Sequence, residues 1–501
     1  MAGIGFELRR MAREEGLLRP VASAGHGAFV AAGPWLLTIL ALKLVQAYLP
    51  ASKAAAYDLQ SLIIHVFCLS LLATGPVVTA GLRLCADDLY LGRPGRIRAV
   101  YLATQLVATL AGAALAFVVL GLVFGWRGEG LLAGCAATAA TAGVWPAAAF
   151  GNAIRELGAI TRAFVAGLGL SVAATLLAAE HGLGADVQAL AFAAGLWLAG
   201  LLLTARILAT FPAPMTSLAA PLRLLLGTFA ARRAVVLGAL ASVVALWIDS
   251  WIFWLGPAGH VSASGLPTAP FYDSAMFVAR LTMLPGLVLF VGAVDTGVFA
   301  AMRRFLETIE GHGTLARIEA ERRALTEATN RLLLRLILVQ ALVSAIVVML
   351  APALVAPAGL LFQQVALLRY GALGAFFTTV FFAATTLLLL LGQEKRFLLA
   401  QVSFLAANAA GAVVTLRLGE IYYGFGALAA AAVAAVLAVA LLHDALERVT
   451  LHTFERALDG ARRPKPAAVR APSRWPPVLA ALRARLAGLA HHLPRSGKAP
   501  T

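Results

Sequence analysis

Uninterrupted apolar runs recur along nearly the whole chain, each of roughly 19 residues or more and therefore long enough to cross about 30 Å of hydrocarbon as a helix. Twelve are read, near residues 27–49, 57–82, 99–125, 130–153, 163–180, 187–210, 234–256, 274–301, 332–355, 364–392, 398–416 and 421–443. The first carries Gly33-Pro34 and is longer than the apolar stretch of a signal peptide, so it is expected to stay as a signal anchor. Gly75-Pro76 and Pro285-Gly286 are expected to break the second helix of each set of six. Paired interruptions of this kind mark moving or substrate-lining helices in transporters.

Charged residues orient the runs, because basic residues near helix ends resist translocation. Arg9, Arg10, Arg13 and Arg19 precede the first run, Arg93, Arg96 and Arg98 follow the second, and Arg155 and Arg162 follow the fourth. Arg232 and Arg233, Arg303 to Arg331, Lys395 and Arg396, and the basic tail fall on the same side. The opposite loops offer Lys53, Arg127 and Arg417. Both termini are therefore placed in the cytoplasm, and two equal halves of six helices would be related by a parallel repeat.

Composition then excludes a soluble chain: 61% of the residues are hydrophobic, 13% are charged, and the mean hydropathy is +0.87. The net charge of +16 is a topology signal that also attracts anionic membrane lipid, and nucleic acid is not expected as a partner. Cys68, Cys85 and Cys135 have no pairing spacing and read as reduced thiols.

The organisation expected is an N-terminal cytoplasmic or interfacial segment at 1–26, a first half at 27–210, and a cytoplasmic connection at 211–233. A second half at 234–443 contains a cytoplasmic loop at 302–331, and a tail fills 444–501. Ile4, Leu8, Met11 and Leu18 suit a short helix on the membrane surface. The loop mixes acids and bases at three- and four-residue spacing, as in a solvated helix; Arg322 and Arg323 are candidates for partner docking, the alternative being a spacer. In the tail, a Pro-rich linker from Arg462 to Pro477 precedes a basic amphipathic helix carrying Leu482, Leu486 and Leu489.

Enzymatic chemistry would need converging acids, bases or metal ligands. Asp87 and Asp88 form an acidic pair read as an ordinary loop, no phosphate-binding loop occurs, and His312, His491 and His492 lack ligand companions at helical spacing. No cofactor or metal is expected, and a transporter is preferred to an enzyme. Ionisable residues inside the runs carry more information, since each is costly unless paired or facing water. Snorkelling accounts for Lys43, and shallow placement for Asp58 and Arg369. Asp249 lies about 10 Å from the outer end of its run and Arg280 about 9 Å into the next, so they can pair. With His65 they are expected to line an outward-side polar cavity, with Asp295 as its inner counterpart. Trp247, Trp251 and Trp254 fall on one helix face, as an interfacial aromatic belt or a stacking platform for sugar rings.

Several motifs, in order, resemble the PelG family, inner-membrane transporters of the Pel exopolysaccharide within the multidrug, oligosaccharidyl-lipid and polysaccharide flippase superfamily. They are the opening Met1 to Arg10, Ser23-Ala24-Gly25 leading to Gly33-Pro34-Trp35, Trp247 to Trp254, Tyr272-Asp273 leading to Leu284-Pro285-Gly286, Gly313-Thr314-Leu315, Tyr423 to Gly426, Leu446-Glu447-Arg448, and Thr453-Phe454-Glu455. The resemblance runs to about residue 456, and it singles out Gly33, Pro34, Asp249, Tyr272, Asp273, Pro285 and Gly286. It implies two six-helix halves around a central cavity and outward export of an amino-sugar-rich biofilm polymer. The partners it implies are a cytoplasmic Pel glycosyltransferase and Pel inner-membrane proteins, including a cyclic-di-GMP receptor. Arg280 is not a residue of the family pattern. The alternatives are a lipid-linked oligosaccharide flippase or multidrug exporter of the same fold, an integral-membrane glycosyltransferase or polymerase, and a non-transporting scaffold for a polysaccharide synthase. The longest predicted outer loop, about 257–273, is too short to house a catalytic domain.

Overall fold

The computed structural model describes residues 37–49, 53–153, 157–212 and 217–462. Gly33 and Pro34, the surface helix expected near residues 4–18, and the Pro-rich linker with its basic helix lie outside them. The described residues up to Val449 form one compact unit, and those from Thr450 belong to a second.

Among the described residues, eleven helical stretches are long and apolar enough to cross a membrane. The chain is a multi-pass, all-α membrane protein. The first half has α1 (Leu37–Tyr48), α2 (Lys53–Tyr90), α3 (Ile97–Ala116, continued by a π-helical turn Phe117–Val123), α4 (Gly128–Ala153), α5 (Leu157–Glu180) and α6 (Ala185–Thr210). Helix α1 is the described part of the first expected crossing. A short helix, α7 (Ala219–Ala231), leads to α8 (Arg233–Leu255). The second half continues through a two-stranded hairpin, β1 (His260–Val261) and β2 (Pro267–Thr268), to α9 (Pro270–Leu281) and α10 (Leu284–Ala293). A π-helical turn, Val294–Val298, then leads to α11 (Phe299–Glu310), α12 (Leu315–Leu354), α13 (Val365–Leu390), α14 (Glu394–Leu418) and α15 (Phe425–Glu447). Helix α16 (Val449–Arg462) follows.

Each half buries its own core. Leu62, Leu120, Phe192 and Leu196 belong to one in the first half, and Phe290, Leu336, Leu388 and Leu442 to one in the second. Hydrocarbon gives helices no hydrophobic reason to associate, so close backbone approach must hold them. Both halves use the same device. A methyl group at Gly167 of α5 would stand 2.5 Å from the Gly195 carbonyl oxygen of α6, and one at Gly411 of α14 would stand 2.6 Å from that of Gly426 in α15. Four residues beyond the first glycine each half sets a hydroxyl at the crossing, Ser171 in one and Thr415 in the other. Ser171 donates to the Phe192 carbonyl at 2.7 Å, and Thr415 Oγ1 accepts the Gly426 amide at 3.0 Å.

One of the two expected helix breaks is absent. Gly75-Pro76 does not break its helix, because α2 runs through Pro76. Proline removes the amide that would reach the Leu72 carbonyl, a loss that membrane helices tolerate, and the helix continues with the Thr74 and Thr79 hydroxyls bonded back to the Ser70 and Gly75 carbonyls on either side. Gly75 instead permits close approach to α8, where a methyl group would meet Val243 at 2.9 Å. Pro285-Gly286, by contrast, opens α10 after a true break. Gln340 of α12 donates to the freed Thr282 carbonyl at 2.8 Å, and Gly286 leaves room for that amide.

The connection at 211–233 contains the apolar helix α7, whose Leu225 is buried with Val77, Ala103 and Ala108 of the first half. The charged loop is a helical hairpin rather than one helix: α11 and α12 meet at Gly311–Thr314, where His312 takes a positive φ of 54°. Asp87 and Asp88 end α2 instead of lying in a loop, and Asp88 is buried 3.4 Å from Arg96.

Gly195→Leu and Gly426→Leu should each force their helices apart and cost about 1–3 kcal/mol or more. Lowered melting temperature and membrane abundance of the full chain would register it, whereas Gly169→Leu, with open space at its Cα, should leave both unchanged.

Candidate functional site

Residues 247 to 254 of α8 divide by helical geometry. Trp247, Trp251 and Trp254 share one face, while Asp249 lies roughly 200° around the axis from Trp247 at 3.6 residues per turn. The two faces meet different neighbours, so the residues expected to line one polar cavity separate into two groups.

Asp249 faces into the second half and is 1% exposed. Helix α9 presents Tyr272, Met276 and Arg280 four residues apart, which sets both polar groups on the side facing α8. Tyr272 donates its hydroxyl to Asp249 Oδ2 at 2.7 Å, and Arg280 Nη2 donates to the same oxygen at 2.9 Å. The pair that equal depth allowed is formed. Phe253 stacks on the Tyr272 ring at 3.9 Å between centroids, and Tyr423 of the segment before α15 meets Phe253 edge-on at 4.8 Å. Asp249, Arg280, Met276, Thr378, Phe404 and Asn408 border a cavity of about 50 Å³. That volume is on the scale of one or two water molecules, so it admits no sugar ring. The guanidinium also already neutralises the Asp249 carboxylate, which removes the free charge a cationic cargo would seek.

The indoles face the first half. Trp254 is 5% exposed, and its ring lies 4.7 Å from that of His65 in α2. Its Nε1 donates to Asp273 Oδ2 at 2.6 Å, an oxygen that also accepts the Ala269 amide at 3.0 Å. Trp251 Nε1 donates to Cys68 Sγ at 3.3 Å, and Trp247 meets Trp254 edge-on at 6.2 Å. His65 Nδ1 bonds the Ser61 carbonyl oxygen at 2.9 Å, and Nε2 is buried without a described partner. The three tryptophans therefore line the seam between α2 and α8, and His65 covers the Trp254 face that a sugar ring would use.

Asp295 occupies the π-helical turn after α10, and its side chain lies outside the described residues. Arg322 is half-buried and bonds Glu319 at 2.7 Å on its own helix, whereas Arg323 is exposed. Arg369 donates to the Val348 carbonyl at 3.1 Å, and Lys43 is exposed. Asp58 is more than a shallow acid: it binds the hairpin residue Ser264.

Three uncharged amides, outside the ionisable set, also join elements of the second half. Gln340 caps the helix break, Gln364 donates to the Phe271 carbonyl at 2.6 Å, and Asn408 donates to the Ala245 carbonyl at 2.9 Å. A lone amide within an apolar run is the signal that would have found each.

A family model described as "PelG: Putative exopolysaccharide Exporter (EPS-E)" matches residues 1–454. No curated protein matches the chain. Among solved structures, MATE in complex with MaD5 is 13% identical with a TM-score of 0.59, covering 90% of this chain and 100% of its own. An inward-facing multidrug resistance MATE family transporter of the MOP superfamily is 14% identical with a TM-score of 0.55, covering 84% and 99%. A MOP superfamily transporter from Pyrococcus furiosus, whose title describes reverse polarity of its binding pocket, is 14% identical with a TM-score of 0.54 over 90% and 99%. These likenesses establish the fold.

Breaking a buried ion pair by removing one partner costs about 3–5 kcal/mol, mostly from the charge left behind. Asp249→Asn should therefore lower the unfolding temperature of the detergent-purified chain, and adding Arg280→Met should recover most of the loss, because the amide oxygen still accepts from Tyr272. Wild-type melting of Asp249→Asn alone would show that the pair clamps nothing.

Proposed function

Because the chain belongs to the PelG family of exopolysaccharide exporters, matched over residues 1–454, we propose that it carries the Pel polymer, rich in amino sugars, from cytoplasm to periplasm across the bacterial inner membrane. That it is a polysaccharide transporter follows from the family and the MOP-type fold; the identity of the polymer is the step taken here. The single observation that carries the reading is the extent of the match, which takes in every described transmembrane helix of both halves.

The seam between α2 and α8 is the proposed path, with His65, Trp247, Trp251 and Trp254 as its lining. Indole faces suit the C–H faces of sugar rings, and once the halves part the Trp254 face is released from His65. Asp249 and Arg280 act from behind this surface, holding α9 on α8. The helix break at Pro285-Gly286 supplies a hinge below them, on a helix that also carries a π-helical turn, and such irregular turns recur at functional sites. Transport proceeds without nucleotide hydrolysis by this chain, and export accompanies synthesis.

The basic cytoplasmic side opposes entry of a cationic polymer, so the partner glycosyltransferase delivers the chain to the path. The hairpin of α11 and α12 is the proposed docking surface, with Arg323 among its exposed cations, and Pel inner-membrane proteins including the cyclic-di-GMP receptor complete the assembly. Arg323→Glu should lower the amount of glycosyltransferase co-purified with the full chain by about tenfold, in the range expected when a rim charge is reversed. Unchanged co-purification would remove the docking role.

Deleting the gene in its host should abolish secreted amino-sugar polymer, and the wild-type gene should restore it at normal membrane abundance. Trp254→Ala should restore abundance but not secretion. Persistence of the polymer after deletion would transfer the cargo to lipid-linked oligosaccharides or drugs.

A further inference from the structure

The loop between α8 and α9 belongs to the second half by sequence, yet its tip is bound into the first. Its two strands pair antiparallel, His260 with Thr268 and Val261 with Pro267. The tip closes on itself: the Ser262 amide donates to the Leu266 carbonyl at 2.9 Å, the Gly265 amide donates to the Ser262 carbonyl at 2.9 Å, and Gly265 takes a φ of +80° that side chains disfavour. A pre-ordered tip of this kind docks without further ordering of its backbone.

Polar and apolar contacts to the first half hold it. Ser264 donates its amide and its hydroxyl to Asp58 Oδ1 at 2.8 and 2.5 Å. Trp126, between α3 and α4, donates its indole N–H to the Ser264 carbonyl at 2.8 Å. Thr268 shares hydroxyl hydrogen bonds with Tyr57 at 2.6 Å and Ser61 at 3.3 Å. Leu266 is fully buried, and its neighbours in the core include Leu59, Leu62 and Leu120 of the first half. All of these partners stand at the end of the bundle that the basic residues assign to the periplasm.

We propose that this hairpin is the outer gate of the transporter, a strap that latches the second half to the first through Asp58 and Leu266 and must unlatch before the seam opens to the periplasm. The proposal rests on the export reading above. Beneath the strap lie His65 and Trp254, so its release is what would expose the aromatic lining. Its contacts suit a gate: the Asp58 and Trp126 bonds to Ser264 sit at a half-buried rim where water can replace them, while Thr268 and Leu266 form a buried seat against Ser61 and the first-half core. At the other end of α2, Arg83 reaches Glu394 of the second half at 3.9 Å, and Arg232 holds the same carboxylate at 2.7 Å. Asp58 and Arg83 are thus closures on one helix, roughly 38 Å apart along its axis at 1.5 Å per residue. Both are partly buried, the outer one made of short hydrogen bonds and the inner one longer, so the tighter polar closure on this helix is the periplasmic one.

Full-length protein with its three native cysteines replaced by alanine provides the test. Ser61→Cys with Thr268→Cys should cross-link in the oxidising periplasm, since the hydroxyls they replace stand 3.3 Å apart. Polymer export should fall about tenfold or more in the linked form and return with reductant, as for a lid whose opening limits turnover. In a Ser61→Cys single variant, a membrane-impermeant maleimide added outside should react slowly, and Asp58→Ala should raise that rate about tenfold. Export at the unlinked rate by fully cross-linked protein would overturn the gate, as would a maleimide rate indifferent to Asp58. If the polymer is unaffected by gene deletion while the labelling difference persists, the cargo assignment fails and the gate stands.

Discussion

Hydrocarbon offers no hydrogen-bond partner, and every polar group on these helices has to find one inside the protein. That constraint accounts for the two clusters around α8. Asp249 is tolerable because Arg280 and Tyr272 share its oxygen, and Trp254 is tolerable next to His65 because Asp273 accepts its N–H. The break at Thr282 survives because Gln340 answers the exposed carbonyl. Each satisfied group ties two helices together, so the polar residues of the spans double as the joints of the bundle. The glycine crossings of α5 on α6 and α14 on α15 supply what those joints cannot, contact between bare backbones.

This arrangement separates the two halves from the seam proposed as the path. Within each half, the glycine crossings set backbone against backbone. Between α2 and α8 the contacts are made by side chains: rings against rings, an indole against a thiol, Gly75 against Val243. Side-chain contacts of this kind can be exchanged for contacts with a cargo, which backbone crossings cannot. Sequence likeness to exporters and structural likeness to MATE transporters meet here, since one supplies the class of cargo and the other a fold whose solved members include an inward-facing state.

The spans were legible because a twenty-residue apolar run has one physical meaning in a chain this hydrophobic. Depth was legible too, which is why Asp249 and Arg280 could be matched before their contact was seen. Azimuth was the missing coordinate. A helix places residues at 247 and 249 on opposite sides, yet their depths are nearly equal, and reading depth alone merged a seam lining with an interior clamp. Prolines misled for a related reason: neither Pro76 nor Pro285 shows in sequence whether its helix continues, yet α2 runs through the first, and at the second it is Gln340 of a distant helix that meets the freed Thr282 carbonyl. The strap was invisible, because Ser264 and Leu266 are ordinary loop residues until a distant Asp58 and Trp126 meet them.

Helix α12 runs without interruption for 40 residues from the charged hairpin through the bilayer. At 1.5 Å per residue it is roughly 60 Å long, about twice the hydrocarbon thickness, and so half of it stands outside as an arm. A rod of that length has leverage: tilting it by about 5° displaces its far end by about 5 Å, close to one helical turn. The charged hairpin and the broken helix that Gln340 grips are thus mounted on one rod, and neither can shift along its axis without the other.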